Sequence, residues 1–351
     1  MNTRLGRYEL LERLGHGGMG EVFLARAEGA SSVVVLKRLL PHLAHDRELG
    51  RQFLREAGIS ARLVHPHIAR VLELGEAGGA FFFTMEFVEG RSLNALGPLP
   101  LAQAVRVIAD AAAALDAAHS ATDATGRPLG VVHGDVTPHN LIVGTDGSTR
   151  LIDFGLSKLK EHRDEGSLGG TYEYMAPEQA LEGTTDSRTD QFSLGVVFWE
   201  LLTARRLFGG DSDVATIDQV VESRVVPSDT VFDDVVMRML EKEPSRRFAR
   251  CADVAGVLER WLLEQRAVNV RAELGQVVNV KGRVSKVAPA VVHQVTAEAT
   301  DADLAVLQTL ARLSQPMTLE AMEAAIGLDA AQTLVERGLV VRHDDGTFSV
   351  R

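Results

Sequence analysis

A single cysteine, Cys251, in 351 residues leaves no partner for a disulfide within the chain and no cysteine cluster to hold a metal. Its setting, Cys251-Ala-Asp-Val-Ala-Gly-Val-Leu258, has helical character, so the thiol reads as a small core group. Aromatic residues make up only 5% of the chain, and 48 acidic side chains against 37 basic ones leave a net charge of −11. Base-stacking platforms are therefore scarce and the field repels a phosphate backbone, which argues against nucleic acid as a partner. No apolar run is long enough to span a bilayer, and the start, Met1-Asn-Thr-Arg-Leu-Gly-Arg7, carries charge where a secretion signal needs an apolar stretch. A cytoplasmic protein without a membrane partner is expected. The eleven histidines include His65-Pro66-His67 and the pair His42 and His45, but no H-E-x-x-H spacing. They read as solvated or capping residues rather than transition-metal ligands.

What the chain does contain is His133-Gly-Asp-Val-Thr-Pro-His-Asn140, followed by Asp153-Phe154-Gly155. Moving a phosphoryl group asks for one carboxylate to orient a hydroxyl and oxygen ligands for magnesium, which Asp135, Asn140 and Asp153 can supply. Apolar residues flank both loops (Val131-Val132, Leu141-Ile142-Val143, Leu151-Ile152), so each polar group sits at the end of a short buried strand.

Upstream, Tyr8 to Leu14 runs into Gly15-His-Gly17-Gly-Met-Gly20, and Glu21-Val-Phe-Leu-Ala25 resumes a strand pattern. A dinucleotide site needs a helix after such glycines, whereas Val22 and Phe23 are strand material. The glycines therefore read as a hairpin whose backbone can lie over a triphosphate. No G-K-[ST] follows, which argues against a Walker-type NTPase. The strand Ser32-Val-Val-Val-Leu-Lys37 ends on a lysine that can point beneath the hairpin, and Arg47 to Leu63 has the apolar spacing of a helix carrying Glu56, the expected partner of Lys37.

With these residues in order, residues 8–264 resemble a bacterial eukaryotic-like (Hanks-type) serine/threonine protein kinase. The resemblance implies an α+β, bilobal fold with a β-rich N-lobe and a helical C-lobe, ATP and magnesium as cofactors, and a protein substrate. It implies Gly15, Gly17 and Gly20 as the loop covering the phosphates, Lys37 on the α- and β-phosphates, and Glu56 as anchor of Lys37. Asp135 would be the catalytic base, with Asn140 and Asp153 the metal ligands. Met85 resembles the gatekeeper and Glu86-Phe-Val88 the hinge, while Leu14, Val22, Val35 and Ile142 would line the nucleotide pocket. Ala176-Pro-Glu178 resembles the end of the activation segment, Asp190 a buried brace of the catalytic loop, and Arg247 the partner of Glu178.

The chain departs from the family at two positions of the catalytic loop. Gly134 stands where an arginine usually receives a phosphorylated activation loop, so activity is expected not to be gated through that contact. Thr137 stands where a lysine usually reaches the γ-phosphate, which implies slow turnover. Between a helix at 101–119 and the catalytic loop, the turn-rich stretch 121–130 reads as a surface hairpin. Residues 265–300, mixing valine with glycine and proline, read as a linker. Residues 301–351, three helices and an Asp344-Asp-Gly346 turn between strands, resemble a small winged-helix module. Its third helix offers Asp329, Glu336 and only Arg337, so protein docking or a structural role is favoured over DNA readout. Two other functions compete. One is a small-molecule phosphotransferase, since H-G-D followed by asparagine also resembles such catalytic loops; the other is a pseudokinase scaffold, which Gly134 and Thr137 keep open.

Overall fold

The computed structural model describes residues 3–16, 20–154, 172–181, 183–280, 340–342 and 348–350. The chain divides into two units, Met1–Ala290 and Val291–Arg351. The first begins with strands β1 (Thr3–Leu5), β2 (Tyr8–His16), β3 (Gly20–Ala27) and β4 (Val33–Leu39), helix α1 (Arg47–Ser60), and strands β5 (Val71–Ala77) and β6 (Ala80–Glu86). The strands make one antiparallel sheet in the order β1-β2-β3-β4-β6-β5. Because successive side chains on a strand point to opposite faces, β3 sends Val22 and Leu24 into one apolar cluster and Phe23 and Ala25 into another. The same alternation puts Val35 of β4 and Phe83 and Met85 of β6 in the first cluster, with Val35 registered against Met85 and Lys37 against Phe83. Asp46 starts α1 by accepting from the N–H groups of Glu48 and Leu49 at 2.9 and 3.1 Å. The buried stripe of α1, Leu49, Phe53 and Ala57, joins that cluster.

Strand β7 (Gly90–Ser92), helix α2 (Leu101–His119) and strands β8 (Leu141–Gly144) and β9 (Thr149–Leu151) come next. Strands β7, β8 and β9 form a small antiparallel sheet. The stretch at 121–130 folds into a hairpin-like turn with a Thr122–Pro128 bridge. Helices α3 (Pro177–Ala180), α4 (Ser187–Thr203), α5 (Asp213–Glu222), α6 (Asp233–Met239), α7 (Cys251–Glu264) and α8 (Val270–Val280) complete this unit. Asp186 and Thr189 cap α4 reciprocally, and α4 is buried from Thr189 through Trp199. It lies with α2 and α7 in the main apolar core. Cys251 is in that core, and burial pushes its thiol pKa far up, so the group behaves as a hydrophobe.

Within the stretch read as a linker, the structure contains α8. Val270, Leu274 and Val278 recur every four residues and are all buried, a helical stripe that the neighbouring glycine obscures in the sequence. In the second unit, β10 (Val340–Arg342) pairs antiparallel with β11 (Phe348–Val350), Val341 opposite Ser349. The three helices expected at 301–337 lie outside the described residues. No helix among the described residues is long and apolar enough to cross a membrane.

Candidate active site

The loop between α2 and β8 is held from beneath by one buried carboxylate. Asp190, on α4, has no exposed surface. Its Oδ2 accepts from the N–H of His133 at 2.7 Å and its Oδ1 from the N–H of Gly134 at 2.7 Å, while His119 Nε2 lies 2.7 Å from Oδ2. A buried carboxylate must find such donors, and here they fix the backbone immediately before Asp135. Gly134 sits at φ +70°, in the left-handed region where a side chain is strained. A glycine relieves that strain at the position where the family usually carries arginine.

His133 is fully buried; its Nδ1 accepts from the Asp135 N–H at 3.2 Å and its Nε2 donates to the Ile152 carbonyl at 2.8 Å. The imidazole thus ties the catalytic loop to the strand that delivers Asp153. Asn140 Nδ2 donates to the Asp135 carbonyl at 2.7 Å and to Asp135 Oδ2 at 3.0 Å. With its nitrogen committed to two acceptors, the amide orientation is defined, and its oxygen is the atom left to meet a cation. Asp153, held at φ +64°, places Oδ2 3.1 Å from Lys37 Nζ, both side chains being about 15% exposed. Hard oxygen donors on Asn140 and Asp153 suit magnesium, which prefers few protein ligands completed by phosphate and water. The donor set therefore fits the ion that the resemblance implies.

Lys37 pairs with Asp153, a partner not expected from sequence. Helix α1 is tied to the metal loop by another residue that sequence reasoning missed. Ser60 Oγ donates to the Phe154 carbonyl at 2.8 Å, and the Phe154 ring stands edge-on to His133 with centroids 4.7 Å apart. A cavity lined by Ala57, Ser60, Ala69, Met85 and Phe154 adjoins this contact. The available signal was a hydroxyl on the otherwise apolar stripe of Phe53 and Ala57, one turn after Glu56. Ser60→Ala strands a buried carbonyl, at about 1–3 kcal/mol, and should lower both the urea midpoint and the initial rate. A variant that melts and turns over like the parent would refute this coupling.

The apolar residues expected around the nucleotide do come together. Leu14, Val22, Val35, Met85 and Ile142 belong to one buried cluster, with Val88 packed against its edge. Glu86 ends β6 and its N–H donates to the Arg70 carbonyl. Gly15 and Gly20 lie at the facing ends of β2 and β3, and a Cβ on Gly20 would stand 2.7 Å from the Arg38 carbonyl oxygen. Gly17, Gly155 and residues 156–171 lie outside the described residues. Gln179, unremarked in the sequence, donates to the Gly134 carbonyl at 3.1 Å and accepts from the Ala176 N–H at 3.0 Å. It joins the catalytic loop to α3 with a neutral amide. Glu178 meets Arg247 through two bonds of 2.7 and 2.9 Å.

A lysine-bearing sheet, a braced loop offering a carboxylate, and two cation-ready oxygens define an enzyme that handles a nucleoside triphosphate. The chain belongs to the protein kinase family, whose protein kinase domain matches residues 8–258. It is 36% identical over 274 residues to the serine/threonine-protein kinase PknB of Mycolicibacterium smegmatis, covering 72% of this chain and 43% of that protein. It is 35% identical over 280 residues to the tyrosine-protein kinase MasK of Myxococcus xanthus, covering 74% of this chain and 43% of that protein. The chain thus spans less than half the length of these curated relatives. The crystal structure of the Mycobacterium tuberculosis PknI kinase domain superposes with a TM-score of 0.55 at 27% identity, covering 74% of this chain and 97% of that one.

Proposed function

We propose that this chain transfers the γ-phosphoryl group of ATP to serine and threonine hydroxyls of proteins. The observation that carries the reading is that Lys37 meets Asp153, 116 residues on, at 3.1 Å, while Asn140 holds Asp135 at 3.0 Å in a loop that His133 ties to the Ile152 carbonyl beside Asp153. Asp135 accepts the substrate hydroxyl proton, Asn140 and Asp153 hold magnesium, and Lys37 grips the α- and β-phosphates. Bound magnesium supplies neutralising charge on the phosphate oxygens. The Gly15–Gly20 hairpin covers the phosphates, Glu56 anchors Lys37, and the Glu86–Val88 backbone bonds adenine. Thr137 is only 3% exposed and brings no cation, so a slow enzyme is expected. A cytoplasmic setting and protein docking through residues 301–351 complete the proposal.

The relatives' names divide between serine/threonine and tyrosine kinases, and Pro138 with Gly170-Thr171 favours the former here. Tyr174 is not itself a ready acceptor. Its hydroxyl donates to Glu200 at 2.8 Å, and burial, then the Glu200 charge, pushes its pKa well up. The test is incubation with labelled ATP, magnesium and either casein or amino alcohols, followed by acid hydrolysis. Phosphoserine and phosphothreonine are expected. Phosphotyrosine alone would overturn the hydroxyl preference, and label on the amino alcohols alone would overturn the protein-kinase reading.

A further inference from the structure

Helix α8 lies beyond the matched kinase domain, yet its residues reach the strand that aims Asp153. Arg271 donates through both terminal nitrogens to Asp110 of α2, at 2.7 Å to each carboxylate oxygen. Asp110 is 1% exposed. The same carboxylate accepts from the Thr149 N–H of β9 at 3.1 Å and lies 3.2 Å from Arg106 Nε and 3.5 Å from His67 Nδ1. Arg106 is shared with Glu259 of α7, so its charge is divided. His67 Nδ1 is also 2.8 Å from the Thr149 carbonyl, and its own carbonyl accepts from Leu151 N–H at 2.9 Å. Strand β9 is therefore fastened at Thr149 and Leu151, two residues before Asp153.

The contact is close as well as charged. A Cβ on Gly275 would stand 2.5 Å from the Thr145 carbonyl oxygen, and one on Gly147 would overlap the Arg271 backbone. The α8 backbone thus abuts the turn between β8 and β9, with Leu274 and Val278 fully buried. Without Arg271 this buried carboxylate would keep only the Arg106 charge it shares with Glu259, and water drawn in to meet the loss would compete for the Thr149 N–H it holds.

We infer that Arg271 is a positioning residue for the metal loop, acting through Asp110 and Thr149, so that α8 is a working part of the kinase domain. This inference rests on the proposed role of Asp153. It is tested in the full chain with Arg271→Ala, Asp110→Asn, the double variant and Arg271→Lys, which keeps one cation should the alanine variant fail to fold. Initial rates over a range of ATP and amide exchange across 149–152 are measured on each, after correction for folded fraction. Arg271→Ala should lower kcat roughly 2- to 30-fold with a smaller change in ATP KM, and speed exchange at Thr149 and Leu151. The double variant should recover most of both losses, because the uncompensated charge is gone, and Arg271→Lys should fall between. Unchanged exchange and kcat in Arg271→Ala, or a lower melting temperature with kcat per folded molecule intact, would overturn the inference. No transfer by the parent chain would instead remove the proposed function, since exchange is read without turnover.

Discussion

Asp135→Asn will lower kcat by about 10²–10⁴-fold while ATP binds as it does to the parent chain. The substitution is nearly isosteric, and the loop around it is held by groups that it leaves in place. His133 and Gly134 stay on Asp190 through their backbone N–H groups, and the Asp135 N–H keeps its acceptor, His133 Nδ1. Asn140 retains the Asp135 carbonyl, 2.7 Å away, and an amide oxygen can replace the carboxylate oxygen as its second acceptor. What disappears is the negative charge proposed to take a proton from the incoming hydroxyl. The contacts proposed for the nucleotide lie elsewhere, on Lys37, Asp153 and the apolar cluster of Leu14, Val22, Val35, Met85 and Ile142. Quenched-flow incorporation of label and calorimetric titration with ATP separate the two quantities. Equal incorporation by both proteins would end the assignment of Asp135 as base and turn attention to a scaffold.

The residues proposed for phosphoryl transfer stand out in the sequence because that chemistry admits few side chains and strand alternation tells which way they face. Val35, Lys37 and Leu39 alternate with Val34, Leu36 and Arg38, and Lys37 lands against Phe83 on the side where Asp153 arrives. The contacts that set the site's state are not encoded so locally. That Lys37 meets Asp153, 116 residues away, depends on where the metal loop settles against the sheet. The bonds from Ser60 to Phe154, from Gln179 to Gly134 and from Arg271 to Asp110 unite positions 45 to 161 residues apart. Nothing in a helical period identifies such a partner. Helix α8 failed for a different reason: three buried positions make a short stripe, and the stretch after it lacks a period with which to extend it.

Arg247→Ala will destabilise the chain by about 3–5 kcal/mol at neutral pH, the range for breaking one side of a buried ion pair. Arg247 is 2% exposed and makes five hydrogen bonds. They go to Glu178 Oε1 and Oε2, to the carbonyls of Glu241 and Arg188 at 2.8 Å, and to the Lys242 carbonyl at 3.2 Å. Its guanidinium also lies 4.9 Å from the centre of the Phe192 ring. One effect opposes the loss: Lys242, pushed down to about 8 by burial and then by the charge of Arg247, is relieved of a like neighbour. That repulsion is partly screened by water, so the abandoned carboxylate and carbonyls prevail. Burial by itself would raise the pKa of Glu178, but hydrogen bonding and charge from Arg247 outweigh it and hold the carboxyl below its ordinary 4.5. An acid depressed by folding contributes stability that is complete above its unfolded pKa and is lost as pH falls through the folded value. In Arg247→Ala burial is opposed only by the Thr189 hydroxyl, 2.9 Å from Oε1, and a backbone N–H, so the Glu178 carboxyl is held down less and the variant loses less stability than the parent as pH falls. The stability gap between the two proteins should therefore be widest at neutral pH and narrow as pH falls below about 4.5. Urea unfolding from pH 7 to pH 4 measures it, and a gap that is constant or widens on acidification would show that the pair is not what Arg247 contributes.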